Sequence, residues 1–437
     1  MGRRSRRRLV LLLLALWWVL LLLPLPAPLA AQPAPAPTQT APPGRSATSR
    51  EIRGVWITAN DMGTLRDRER MKAAVAQLAE LHFNTLYPVV WNNGFAYYPS
   101  AVSEGRGLQH FTYRGLQGQD ILAELIEEAH RHGLQVLPWF EFGFMTPPGS
   151  TVVQRHPDWL TQRRDGSRTS ISAAGEVAWM NPFHPEVQQL ITDLVLEIVG
   201  TYDVDGIQFD DHMSLPRDFG YDPWTVALHR REQMAKNPKA PVKPVPDDPQ
   251  DAAWTRWRAD RITAFLARLQ QAVQARRPGA ILSISPNYYD FAYKLQLQDW
   301  LDWVRKGLVG EVVIQIYRPD LESFLPHLQR PEVLESLTRV PTGIGIMSGQ
   351  RNRPAPMALI QAQVQAARER QLGVAFFYLE SLWEHSDEPR DSRLAGLRQL
   401  FSSPAPRPRL VNPAAPASSA PLPLAAPPPP PPLPVGS

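Results

Sequence analysis

An α/β fold of the (β/α)8, or TIM, barrel type is what this chain predicts, and three observations predict it. Between Glu51 and about Phe401, eight short apolar runs alternate with amphipathic stretches, the mark of repeated βα units. Carboxylates, amides and aromatic hydroxyls gather at the C-terminal ends of those runs, where a parallel barrel builds its functional face. No glycine-rich phosphate loop follows the first run, which argues against a doubly wound open sheet.

In order, the strands are predicted at Gly54–Thr58, Phe83–Trp91, Gln135–Phe142, Gly206–Asp211, Ile281–Ser285, Val312–Tyr317, Gly343–Met347 and Val374–Glu380. Helical periodicity fills Asp67–Leu81, Asp120–His132, Pro185–Tyr202, Trp254–Arg276 and Pro356–Gln371. Gly133 and Gly373 stand where a helix must stop before a strand, the position glycine favours. Two connections exceed simple turns: Gly143 to Asn181 after the third strand and Met213 to Ala253 after the fourth. Both are βα loops, so both belong to the active face.

The ends differ in kind. Five arginines among residues 3–8 precede an apolar run from Leu9 to Leu23 and a small-residue exit at Ala30-Ala31, the layout of an export signal. Left uncleaved, residues 9–31 would be a membrane anchor. The predicted layout is a signal peptide or anchor at 1–31, a Pro/Ala/Thr-rich linker at 32–50, the barrel at 51–401 and a Pro/Ala-rich tail at 402–437. Linker and tail lack the apolar content to order themselves. Removing the leader takes five of the 46 basic residues and none of the 42 acidic ones, leaving 41 against 42. The basic balance is thus mostly targeting, and nucleic acid is not an expected partner. With no cysteine, disulfides, thiolate metal sites and a lipid-modified cysteine are excluded.

The fourth strand carries the sharpest signal. Gly206-Ile207-Gln208-Phe209-Asp210-Asp211-His212 places a glutamine inside a run that burial on both faces should make apolar, then ends in two acids and a histidine. Alternation puts Gln208 and Asp210 on one side and Ile207, Phe209 and Asp211 on the other. Other strand ends add Trp91 and Asn92, Trp139 and Glu141, Asn287, Gln315 and Tyr317, and Tyr378 and Glu380. Carboxylates, amides and rings around one cleft suit a sugar, whose hydroxyls need fixed partners and whose ring faces stack on aromatics. Glycoside hydrolysis also needs two carboxyl groups, and Asp210, Glu141, Asp211 and Glu380 are the candidates.

Arg53-Gly54-Val55-Trp56, Phe83-Asn84-Thr85-Leu86-Tyr87-Pro88, Ala129-His130-Arg131-His132-Gly133-Leu134, Asn181-Pro182 with His184-Pro185-Glu186-Val187, the Tyr202–His212 strand and Gln315-Ile316-Tyr317 resemble, in order, the glycosyl-hydrolase-like family 10 proteins. The resemblance implies a barrel that hydrolyses a glycan, often at the bacterial envelope, with the Asp210-Asp211 pair in its active centre. His212 and Met213 stand where family members commonly carry an aromatic residue.

The leading expectation is an exported glycoside hydrolase acting on an envelope polysaccharide such as peptidoglycan strands. Asp210 would be nucleophile or base, Glu141 proton donor and Asp211 a tuner of Asp210. Trp91 and Trp139 would stack on sugar rings, and Asn92, Gln208, His212, Asn287, Gln315, Tyr317 and Tyr378 would bind hydroxyl or N-acetyl groups. No cofactor is expected. Two rivals stay open: a non-catalytic glycan-binding barrel, and a metal-dependent hydrolase or deacetylase using Asp210, Asp211 and His212.

Overall fold

The computed structural model describes residues 50–111, 118–172, 175–350 and 353–408. The predicted leader, the linker before Arg50 and the tail beyond Pro408 lie outside the described residues.

Eight parallel strands close a barrel: β1 (Arg53–Ile57), β2 (Thr85–Asn92), β3 in two pieces (Gln135–Val136 and Trp139–Phe140), β4 (Gly206–Asp210), β5 (Ile281–Ser285), β6 (Glu311–Gln315), β7 (Thr342–Met347) and β8 (Gly373–Phe377). Each strand pairs with the next, and β8 returns to β1 through Arg53↔Val374. The predicted strands coincide with these to within a few residues. Leu137-Pro138 splits β3, because proline has no N–H to give to a ladder.

Alternation sorts the side chains into two cores. Ile207 and Phe209 of β4, and Val312 and Ile314 of β6, pack outward against the helices. Trp56, Tyr87, Val89, Leu137, Trp139 and Val313 fill the barrel axis. Each fully buried aliphatic or Phe side chain contributes about 1.5–3 kcal/mol. Gly54 is a packing requirement: a Cβ there would lie 2.5 Å from the Tyr87 ring.

The lower, N-terminal mouth is plugged by polar groups. Glu311 Oε1 accepts from Tyr87 Oη and Ser283 Oγ, both at 2.8 Å. Arg407 reaches into the same mouth, forms a buried ion pair with Glu311 and donates to Thr85 Oγ1 at 2.8 Å. The segment before it straps the mouth through Glu51 N–H to the Pro406 carbonyl (3.1 Å) and Asn84 Nδ2 to the Ala405 carbonyl (3.1 Å). The folded domain therefore extends to Pro408, and the predicted boundary at residue 401 is corrected. A proline-rich run reads as a tether by composition, yet Arg407 is the counter-ion of a buried acid.

At the upper mouth the two long loops are tied together. The loop after β3 folds into a three-stranded antiparallel sheet of Met145–Thr146, Thr169–Ser172 and Gly175–Trp179. Asn181 Nδ2 donates to Asp222 Oδ1 at 2.9 Å, and Thr161 Oγ1 donates to Asp222 Oδ2 at 2.8 Å. Asp222 also caps the helix Pro223–Lys236, so one buried acid joins both loops.

Candidate active site

Three acids meet at the upper mouth. Asp210 is the last residue of β4 and is 3 % exposed. Its Oδ1 accepts from the His212 backbone N–H at 2.9 Å and lies 3.0 Å from His212 Nδ1. Nδ1 is also 2.7 Å from the Glu141 carbonyl oxygen. Both neighbours are acceptors, so Nδ1 carries the proton. His212 thereby binds the tip of β4 to the segment leaving β3. Gly143 makes that approach close: its φ is +38° and a Cβ would lie 2.4 Å from the His212 carbonyl oxygen.

Glu141 follows β3 and accepts from Asn92 Nδ2 at 2.5 Å through Oε2. Alternation would send Asp211 away from Asp210, but the strand ends at Asp210 and the chain turns. Asp211 enters the mouth, where Oδ2 accepts from Asn287 Nδ2 (2.8 Å) and Gln296 Nε2 (3.4 Å). Its Oδ1 accepts from Gln315 Nε2 at 3.0 Å. Both Asp211 oxygens are thus engaged by the protein, whereas among the described residues Asp210 Oδ2 receives no hydrogen bond.

The electrostatics follow from this burial. Desolvation pushes Glu141 up to about 7, with the Asp210 charge adding and the Asn92 hydrogen bond opposing. Desolvation likewise pushes Asp210 up to about 6, while His212 pulls it down. Burial opposes a charge on His212, yet Asp210 and Asp211 outweigh it and raise the imidazolium to about 10. Tyr317 is raised well above the ordinary phenol value by burial and then by the charges of Asp211, Asp210 and Glu141.

The structure brings together Asp210, Asp211, Glu141, His212, Asn92, Asn287, Gln315 and Tyr317. Trp139 lies at the base of the mouth in an aromatic layer with Trp56 and Phe377. Its buried Nε1 has no acceptor among the described residues. Two expectations are corrected, at Trp91 and Gln208. Trp91 is no stacking platform: the pairing of β2 with β3 shifts register between Val89 and Trp91, turning the indole into the outer core, where Nε1 donates to the Gly143 carbonyl at 3.1 Å. Gln208 is fully buried on the barrel axis, accepting from Trp56 Nε1 (2.7 Å) and donating to Ser283 Oγ (2.9 Å), so it braces the barrel below the mouth. Glu380 is the second residue of the short helix Leu379–Trp383; its Oε2 meets His385 Nε2 at 3.0 Å and its N–H donates to Asp61 Oδ1 at 2.9 Å. Tyr378 is 2 % exposed behind Phe377, with ring centroids 5.6 Å apart.

Sequence reasoning missed Tyr97, raised to about 12 by burial and the Glu141 charge. It also missed Gln296 and Gln298, whose amides hold Asp211 and, at 2.8 Å, the Asp210 carbonyl. A strand-end scan cannot find Tyr97, which follows the hairpin after β2, or glutamines on and after a helix. As for a metal, one ligand atom each from Asp210, Asp211 and His212 lie within 4.8 Å of one another. Nδ1 is a poor candidate ligand, since its proton already serves two acceptors.

A parallel barrel with buried carboxylates at its C-terminal strand tips defines a glycoside-hydrolase-like protein. The chain belongs to the glycosyl hydrolase-like 10 family, whose model matches residues 51–367. It is similar to glycosyl hydrolase DigH of Escherichia coli (strain K12), 27% identical over 312 residues that cover 62% of this chain and 66% of that protein, just under two thirds of its length. Glycosyl hydrolase YngK of Bacillus subtilis (strain 168) is 22% identical over 311 residues, covering 62% of this chain and 54% of that one. Among solved structures, the PgaB (BpsB) glycoside hydrolase domain from Bordetella bronchiseptica superposes with TM-score 0.57 at 14% identity, covering 80% of this chain and 99% of that one. The catalytic domain of β-amylase from Paenibacillus polymyxa gives 0.56 at 10% identity, covering 81% and 98%. Both likenesses bear on the fold alone.

Proposed function

We propose that this chain is an exported glycoside hydrolase that cleaves an envelope polysaccharide, with peptidoglycan glycan strands as the first candidate. One observation carries the reading: two adjacent acids differ in what they have left to offer. Asp211 spends both oxygens on amides, while Asp210 keeps Oδ2 without a partner among the described residues. Asp210 therefore acts as nucleophile or base, and Asp211 fixes the wall that Asn287 and Gln315 form. Glu141, raised to about 7 by burial, holds a proton near neutrality and is the donor to the leaving oxygen. His212 keeps Asp210 in place and compensates its charge. Tyr317 and Trp139 supply an O–H and an N–H toward sugar hydroxyl or N-acetyl groups.

Export and the envelope substrate rest on the leader-like arginines and apolar run of residues 3–23. The test is release of reducing-end products from purified glycan strands, with and without attached peptides, by the full chain and by Asp210→Asn. Products from the parent and none from the variant support the reading. Binding without products from either protein would make the barrel a glycan-binding module. Activity abolished by a chelator and restored by a divalent cation would move the chemistry to a metal held by Asp210, Asp211 and His212.

A further inference from the structure

The hairpin that follows β2 carries a tyrosine that the proposed chemistry leaves unused. Asn93 and Gly94 both hold positive φ, 57° and 71°, the backbone of a tight two-residue hairpin turn. The returning residues pair as Asn92↔Phe95 and Trp91↔Ala96, and the Tyr97 N–H donates to the Val90 carbonyl at 2.9 Å. The turn is wedged against the loop after β3: a Cβ at Gly94 would lie 2.8 Å from Thr146 Oγ1 and 3.0 Å from Val152 Cγ2. The hairpin is thus a fixed platform.

Two adjacent tyrosines leave it toward different cores. Tyr98 is buried in the outer core and donates to Glu197 Oε2 at 2.9 Å. Tyr97 is partly exposed, packs against the aromatic layer on the barrel axis, and meets the Phe95 ring with centroids 5.0 Å apart. Among the described residues its hydroxyl makes no hydrogen bond, and Glu141 supplies the one carboxylate charge that bears on it.

Strand order places this tyrosine. Around the mouth the hairpin rises from β2, Glu141 leaves β3, and Asp210 ends β4, while Asp211 turns toward Asn287 and Gln315 on the β5–β6 side. Glu141 therefore stands between Tyr97 and Asp210 in the order of the strands. In displacement at a sugar carbon the attacking and leaving oxygens lie on opposite faces, and the donor acid sits at the leaving oxygen. With Asp210 as nucleophile or base, the leaving sugar extends past Glu141 toward the hairpin.

We infer that Tyr97 binds the sugar that leaves: its hydroxyl pairs with a hydroxyl or N-acetyl group of the unit beyond the cut bond, and Phe95 with the axis aromatics holds its ring in place. This rests on the glycosidase reading and assigns one side of its cleft.

The test compares the full chain with Tyr97→Phe, which removes the hydroxyl and keeps the ring. Two probes are used: peptide-free peptidoglycan strands, whose leaving group is a sugar, and the 4-nitrophenyl glycoside of the strand disaccharide, whose leaving group is a phenol. On strands the variant is expected to lower kcat/KM between about threefold and tenfold, the worth of one hydrogen bond. The limbs of its pH profile and its unfolding midpoint should stay in place, and on the aryl glycoside its kcat/KM should match the parent's. An unchanged kcat/KM on strands overturns the assignment, and so do equal losses on the two probes. A shifted alkaline limb would also overturn it, making Tyr97 a partner of Glu141 instead. All three leave the glycosidase reading standing, whereas turnover of neither probe by the parent overturns both.

Discussion

The two mouths of the barrel bury acids to opposite ends. At the lower mouth Glu311 is fully enclosed and answered by Arg407, Tyr87 and Ser283. At the upper mouth Asp210 is nearly as enclosed and Glu141 is half-buried, but the cation nearby is one histidine, and Asp210 Oδ2 has no partner among the described residues. Burying a carboxylate costs several kcal/mol unless a counter-charge and hydrogen bonds replace its water. The lower acid is compensated and locks the barrel; the upper acids are compensated only in part and keep their protons to higher pH. A cavity does not make this distinction, since one of about 670 Å³ opens at the lower mouth beside Arg407 and Asp205.

Two substitutions pull the mouths apart. Asp210→Asn should lower kcat about 10²–10⁴-fold, the range for a lost catalytic acid or base, while moving the unfolding midpoint less than the next change does. Arg407→Ala should cost about 3–5 kcal/mol, because it leaves Glu311 buried and uncompensated. A chain ending at Phe401 should lose at least as much, since the strap goes with the arginine. Urea unfolding and initial rates, measured on the same preparations, check both. Equal stability losses from the two substitutions would erase the proposed division between the mouths.

How much of this was legible follows from the same physics. The eight strands could be read because burial on both faces leaves long apolar runs, and polar residues in such runs are costly enough to mark a mouth. Which polar residue reaches the mouth could not be read, because alternation fixes the side of a strand and not the depth along the axis. Gln208 and Asp210 share a side, yet Gln208 binds Trp56 inside the barrel. Trp91 failed for a different reason: one register shift in β2 reverses the face of every residue after it. Arg407 was hidden by composition, as a single ion pair outweighs the disorder its prolines suggest. The amides around Asp211 come from three separate segments, and only the closed barrel brings them together.

The raised acids give the comparison a pH signature. Glu141 holds its proton to about 7 in the folded chain, against 4.5 for the group's ordinary value. Asp210 holds its own to about 6, against 3.8. Over these windows the unfolded chain binds fewer protons than the folded one, so stability falls as pH rises from about 4 to 7. Glu141→Gln should flatten the upper part of that fall. With Asp210 ionised and Glu141 protonated as the active form, kcat/KM should be bell-shaped, with limbs near 6 and 7. A profile still rising above pH 8 would remove Glu141 from the role of donor.

The smallest expected effect is the most selective. Asn92 Nδ2 donates to Glu141 Oε2, while its buried Oδ1 has no partner among the described residues. The amide therefore gives one hydrogen bond to the donor acid and carries the cost of one it does not make. These contributions are of similar size, about 1–3 kcal/mol each, so Asn92→Ala should leave the unfolding midpoint nearly unchanged. Its effect should fall on Glu141: the hydrogen bond favours the ionised carboxylate, so losing it moves the alkaline limb of the kcat/KM profile upward. Loss of the fixed carboxyl orientation should lower the maximum by up to about tenfold, equivalent to one neutral hydrogen bond. No similarly quiet substitution is expected at the lower mouth, where Arg407 and the hydroxyls of Tyr87 and Ser283 all bear on Glu311. An alkaline limb that stays in place in Asn92→Ala would mean that the amide only packs beside Glu141 and does not set its proton affinity.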